Sequence, residues 1–122
     1  MHIASLALIA LVAVEHIYFL VLEMFLWTRP TGLRAFGNTQ EKADATAVLA
    51  KNQGLYNGFL AAGLLWSIVA SEPHEALHLR LFFLGCVVVA GVYGAVTVSR
   101  KILFLQAMPA AIAIATVLIA GS

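Results

Sequence analysis

Residues 3–27 read IASLALIALVAVEHIYFLVLEMFLW, an apolar run interrupted only by Ser5, Glu15, His16 and Glu23. A helix needs about 20 such residues to cross a bilayer, so this run predicts a membrane span. Three further stretches, residues 54–70, 81–98 and 102–120, meet or approach the same test. They are continuous runs rather than the alternating segments of about ten residues that a membrane barrel needs. Because lipid offers backbone groups no partners, unbroken apolar runs fold as helices. The first run has no basic residue before it and no small-residue cleavage site followed by a polar start, so it is read as a retained span and not a signal peptide.

Composition agrees. Of 122 residues, 62% are hydrophobic and 11% charged, where a soluble domain carries about 25% charged. The mean hydropathy is +0.96. Net charge is +1, which gives no reason to expect a nucleic-acid partner. The one cysteine, Cys86, lies in an apolar run and has no partner for a disulfide within the chain.

Sidedness follows from the basic residues. The first loop holds Arg29, Arg34, Lys42 and Lys51, the third Arg100 and Lys101, and the second only Arg80. The positive-inside rule puts loops one and three in the cytoplasm and both termini outside. Pro30 and Gly32 break the first helix, and Gly37-Asn38 is a second break. Asn38 followed by Glu41 predicts an N-cap with its return partner. Helix two then starts near Thr39, and its polar section, residues 40–51, extends about 18 Å into the cytoplasm. Pro73 suits the first turn of helix three. Ala107, Ala111 and Ala115 recur at spacing four, and Gly91 and Gly94 offer a second smooth surface; such faces let helices approach closely. Gly54 and Gly58 have the same spacing. Pro109 predicts a kink in the fourth span. Trp27 and Trp66 fit an interfacial aromatic belt. The expectation is an all-α, integral membrane four-helix bundle, a single domain over residues 1–122 of a multi-pass cell-membrane protein.

Several polar groups lie within these runs. Ionisable side chains in a span cost at least ~2.5 kcal/mol each on insertion scales, so each needs a reason. Span one holds Glu15, His16 and Glu23; helix two holds Asn52, Gln53 and Asn57; spans three and four hold Tyr93 and Gln106. Counted from Trp27, Ala50, Ser99 and Lys101 at 1.5 Å per residue, Glu23, Asn57, Tyr93 and Gln106 lie about 6 to 10 Å below the cytoplasmic edge, and His16 about 16 Å. Three readings compete. The polar groups are interhelical glue; or they line a site that binds or transforms a lipophilic small molecule; or Glu15, His16 and Glu23 mark a proton or ion path. In the site reading, Glu23 and His16 are the catalytic candidates, with Gln53, Asn57, Asn52, Tyr93, Gln106 and Glu15 around the ligand. Glue explains the amides well but two glutamates poorly, since amides do that work at lower cost. His16 could also ligate haem or a metal, although His16 and Glu23 supply at best two ligands where three or four are usual. His74 and His78 are spaced as an i, i+4 pair, which a solvated helix start explains as well. A monomer of this size encloses little space, so a homo-oligomer in contact with membrane lipids is expected.

The segments Glu15-His16, Leu22-Glu23-Met24-Phe25-Leu26-Trp27 and Asn52-Gln53-Gly54-Leu55-Tyr56-Asn57-Gly58-Phe59-Leu60-Ala61 resemble a family of small bacterial membrane proteins classed as domain of unknown function 1304. That resemblance covers essentially the whole chain and implies a four-span protein without assigning an activity. The architecture is also similar to the membrane-associated eicosanoid and glutathione metabolism family, four-helix subunits with polar residues, notably Asn, near one leaflet of a long second helix. Here the charged residues that family places around its Asn are absent apart from Lys51. Small membrane epoxide isomerases that use haem look similar too, but their second-helix His has no match in this chain.

Overall fold

The computed structural model describes residues 2–97 and 100–121, so the expected end of span three at Val98 and the reference point Ser99 lie outside the described residues. The described residues form helices and no strand: α1 (His2–Met24), α2 (Pro30–Phe36), α3 (Gln40–Val69), α4 (Pro73–Thr97), a π turn (Leu103–Ala107) and α5 (Met108–Ala120). The protein is all-α. Three helical stretches are long and apolar enough to cross a membrane, His2–Met24, Pro73–Thr97 and Leu103–Ala120. The second expected span is not among them. α3 has 30 residues, ample length, but Glu41, Lys42, Asp44, Lys51, Asn52, Gln53 and Asn57 dilute its apolar character. Large apolar side chains point outward along the chain, among them Ile3 at 81%, Val89 at 69% and Val96 at 81% exposure. Water penalises such faces and acyl chains do not, so the exposed surface suits a membrane protein.

The chain divides into two compact units, Met1–Ala13 with Leu60–Ser122, and Val14–Phe59. The larger unit has its core in Ile9, Val12 and Ala13 of α1, Leu64 of α3, Leu84 and Val87 of α4, and Ala110, Ala113 and Val117 of α5. Small residues set its packing distances. A Cβ on Gly91 would fall 2.7 Å from the backbone nitrogen of Ala107 and 2.9 Å from its Cα. A Cβ on Gly94 would meet the Ile102 side chain at 2.9 Å. The expected alanine row is corrected here: Ala107 is buried, but Ala111 and Ala115 are exposed, and the buried row runs Ala107, Ala110, Ala113, Val117. Steps of four drift about 40° each around the axis and carry Ala111 and Ala115 away from the buried side. A π turn lies just before this row: Met108 donates its N–H to the carbonyl of Leu103, a wider turn than the α-helix. The same turn meets the demand of Pro109, which lacks an N–H and crowds the carbonyl four residues back. The expected kink therefore takes the form of a π turn.

Arg80, assigned to a loop by the sequence, lies inside α4 with only 4% of its surface exposed. Its Nε–H donates to the carbonyl of Ser67 at 3.2 Å, and the Ser67 hydroxyl donates to Leu64 O at 2.6 Å. α4 begins at Pro73 as expected, and its cap is Glu72. One carboxylate oxygen accepts the N–H of His74 at 3.1 Å, the other that of Glu75 at 2.7 Å. Those free amides would otherwise lack partners.

In the smaller unit, α1 ends at Met24, three residues before the expected Trp27. The N–H groups of Phe25 and Leu26 both bond to Val21 O, at 3.0 and 3.2 Å, and the chain turns away. Pro30 then opens α2, a short helix that the loop reading did not anticipate. α2 closes on Gly37, whose φ of 62° is the left-handed conformation that favours glycine. The N–H of Asn38 returns to Leu33 O at 2.9 Å. The cap of α3 is also corrected: Thr39 Oγ1, not Asn38, accepts the N–H of Lys42 at 3.2 Å. Asn38 is committed to closing α2, which leaves the next residue to start α3.

Two outcomes are expected. Replacing Gly91 by Ala should destabilise the protein by about 1 to 3 kcal/mol, because Ala107 backbone blocks the added methyl. Gly85→Ala meets nothing within 4 Å and should be neutral or stabilising; thermal unfolding in detergent compares the two. The Glu72 carboxyl is held below the usual carboxylate range by the N–H groups of Glu75 and His74. A lowered folded-state pKa means that the cap's contribution is complete above about pH 4.5 and is lost as pH falls through the folded value. The protection of the Glu75 amide, measured against its intrinsic exchange rate at each pH, should fall on acidification, and Glu72→Ala should remove that acid step.

Candidate functional site

The smaller unit brings two of the expected site residues together. Glu23 comes from the last turn of α1 and Asn57 from the middle of α3. Both are buried, at 9% and 6% exposure, and Asn57 Nδ2–H donates to Glu23 Oε1. The contact exists because α3 carries glycine where α1 passes. A Cβ on Gly54 would lie 2.6 Å from Met24 Cγ, 3.1 Å from Glu23 Cβ and 3.3 Å from Leu20 O. One turn on, a Cβ on Gly58 would meet Leu20 Cδ1 at 2.7 Å. The spacing of Gly54 and Gly58 thus marks a close helix crossing, and the Glu23–Asn57 bond lies within it.

The seam is tied at the loop end. Trp27 Nε1–H donates to Thr46 Oγ1 at 3.1 Å, and its ring lies 4.9 Å from that of Phe36. Trp27 therefore does more than mark an interface: it joins the end of α1 to both α2 and α3. Gln40 Nε2 bridges Thr28 O at 3.1 Å and Asp44 Oδ1 at 2.9 Å. Gly32 packs so tightly that a Cβ would overlap Leu26 O at 1.9 Å.

The other candidates are placed differently. Asn52 and Gln53 are exposed on α3, although Gln53 is only one turn from Asn57. His16 has no exposed surface, and its ring meets Phe19 edge-on at 5.4 Å between centroids. Glu15 is half-buried, and its Oε1 is enclosed without a hydrogen-bond partner among the described residues. Tyr93 and Gln106 belong to the larger unit. Tyr93 is 71% exposed, and Gln106 sits half-buried in the π turn. Among the described residues no group of three or more His, Cys, Asp or Glu is placed to hold a metal ion. Two open grooves of about 570 and 630 Å³ occur, one along Phe82, Gly85, Cys86 and Val89 of α4, the other between Val92, Val96, Arg100 and Phe104. Neither is lined by Glu23 or Asn57.

What sequence reasoning missed is Arg80 and its acceptor Ser67. A usable signal was present: apolar residues resume directly on both sides of Arg80, at Leu79 and Leu81, which is unusual for a loop.

The family described as protein of unknown function (DUF1304) matches residues 10–118. The chain belongs to the DUF1304 family. It is 34% identical over 109 residues to the uncharacterized protein YpaA of Lactococcus lactis subsp. lactis, an alignment that covers 87% of this chain and 89% of that relative. No solved structure matches the chain. The DUF1304 match thus takes in α1 from its middle, all of α2, α3 and α4, and nearly all of α5.

Asn57→Leu should leave the Glu23 carboxyl buried without its donor and cost about 1 to 3 kcal/mol. Glu23→Gln, which can still accept the bond, should cost less. Unfolding of both single variants and of the Glu23→Leu/Asn57→Leu pair checks this. The apolar pair should be more stable than Asn57→Leu alone.

Proposed function

We propose that this protein is a four-span protein of the cell membrane, with α3 as its second span and loops one and three in the cytoplasm, and that it works as a structural or accessory membrane subunit. The observation that carries the reading is the closed Glu23–Asn57 bond in a glycine seam. A carboxylate already satisfied by a neighbouring amide, with no space left between the helices, acts as a lock on the position of α1 against α3 within their unit. Interhelical hydrogen bonds of this kind contribute about 0.6 kcal/mol each in membranes, and the glycine contacts add close packing. Outward apolar residues on the second half of α3, Leu65, Trp66 and Val69 at 44%, 52% and 76% exposure, support its role as a span.

A second reading has one observation in its favour. The position of Glu23 holds a carboxyl group where glutamine would make the same bond at a lower insertion cost. That excess suits a site that binds or transforms a lipophilic small molecule, with Glu23 as acid, base or acceptor. Glu23→Gln separates the two. Under the subunit reading it leaves the co-purifying small molecules, read by mass spectrometry, unchanged. Loss of one specific retained molecule decides for the binding site.

Topology has its own test. In a Cys86→Ser background, Glu75→Cys should react with an impermeant maleimide on intact cells, and Glu41→Cys only after lysis. The reverse pattern would invert the orientation, and equal reactivity on intact cells would remove α3 as a span.

A further inference from the structure

One face of α3 carries a pattern that neither water nor hydrocarbon suits. Val48 and Leu49 are 80% and 71% exposed, and Leu55, Tyr56 and Phe59 are 44%, 54% and 55% exposed. Between these two apolar groups lie Lys51, Asn52 and Gln53, all exposed. None of the three side chains bonds to another described residue. From Val48 to Phe59 the helix rises about 16 Å. Large apolar residues exposed over that length disfavour water, while an ammonium and two carboxamides without partners disfavour the hydrocarbon interior. The layer that accommodates both is the lipid headgroup region, about 5 to 7 Å deep on each side of the hydrocarbon core. There the lysine stem lies along apolar surface and its charge reaches the phosphates.

The chemistry of the face is one-sided. Residues 48–59 contain one cation, three carboxamides and no carboxylate. Asn57 is turned inward to Glu23, which leaves Lys51, Asn52 and Gln53 as outward donors. The nearest acidic residue before them is Asp44, which already accepts from Gln40. We propose that Lys51 and Asn52, which flank Leu55 on α3, bind the phosphate of an anionic phospholipid whose acyl chains run along Leu55, Tyr56 and Phe59, while Gln53, about 200° around the helix from Lys51, donates to a neighbouring headgroup. This rests on the reading of α3 as a span. It moves the level at which α3 meets the membrane toward Val48, so less of the helix stands free in the cytoplasm than the polar section, residues 40–51, suggested. The amides of Asn52 and Gln53, which do not join the Glu23–Asn57 pair, acquire a role at the membrane surface.

The test uses the full chain in nanodiscs of phosphatidylcholine containing a minority of phosphatidylglycerol, with retained lipid read by native mass spectrometry. The wild type should keep phosphatidylglycerol in preference. Lys51→Ala should lower that retention about fivefold, the usual effect of one basic residue at an anionic surface. Lys42→Ala, nine residues nearer the helix start, should leave it unchanged. Lack of preference in the wild type, or equal losses in Lys42→Ala and Lys51→Ala, would overturn the site in favour of diffuse attraction. Displacement of the lipid by inorganic phosphate would reassign the site to a soluble anion. A fluorophore on Val48→Cys, with Cys86 replaced by Ser, should be quenched by nitroxide-labelled lipid. If it is not quenched and reacts freely with aqueous reagents, the placement of α3 in the membrane fails along with the site. If it is quenched but phosphatidylglycerol is not preferred, only the headgroup site fails.

Discussion

A carboxylate held away from water near the end of a membrane helix sets terms for everything around it. Glu23 must have a donor, and Asn57 supplies one. For the amide to reach it, α1 and α3 must cross closely, and that distance requires glycine at 54, where any side chain would run into Met24 and Glu23. The bond, the crossing and the glycine are one arrangement, and none is explained without the others. The loop between the helices follows from it. A tight crossing needs the chain to turn back promptly, which is done by the short helix α2, capped by Gly37, and by the hydrogen bond and ring contact of Trp27.

The larger unit solves its packing by a different device. It relies on small residues: Gly91 against Ala107, Gly63 against the Phe83 ring, and the row of Ala110, Ala113 and Val117 in the core. In lipid, where apolar side chains gain little by leaving acyl chains, close van der Waals contact is a principal source of association. Arg80 adds a polar link, a buried guanidinium bonded to a backbone carbonyl. The π turn before Pro109 belongs to the same economy of packing, since it brings Ala107 to face Gly91 while relieving the proline.

Much of this was legible in the residues. The apolar runs fix helices because lipid leaves no other way to pair the backbone; α1 and the stretch from the π turn through α5 lie close to the expected bounds, while α4 begins at Pro73, ahead of the apolar run at 81. Pro73 at the start of α4, the close approach at Gly91 and Gly94, and the Gly54–Gly58 seam were readable from residue type and spacing. The small bacterial family was readable from the segments around Glu23 and Asn57. Errors arose where neighbouring residues compete for one role. Asn38 and Thr39 both suit an N-cap, and the preceding helix claims Asn38. Ala107, Ala111 and Ala115 share a spacing of four, but residue type alone does not say which side of α5 faces the core, and the buried side follows Ala107, Ala110, Ala113 and Val117. α3 falls short of the apolar character of the other three because its amides, counted as site residues, also lower its hydropathy.

By itself the sequence determined the helical class, the apolar surface suited to a membrane and the set of polar residues that require partners, since each follows from solvation and local backbone chemistry. Only the tertiary structure decided which polar residue meets which. Glu23 meets Asn57, while Gln53 and Asn52 face outward and Arg80 is drawn inside. The physical reason is that rotation about a helix axis is set by packing: a turn of 100° per residue separates a buried amide from an exposed one, and no local rule fixes where that turn begins.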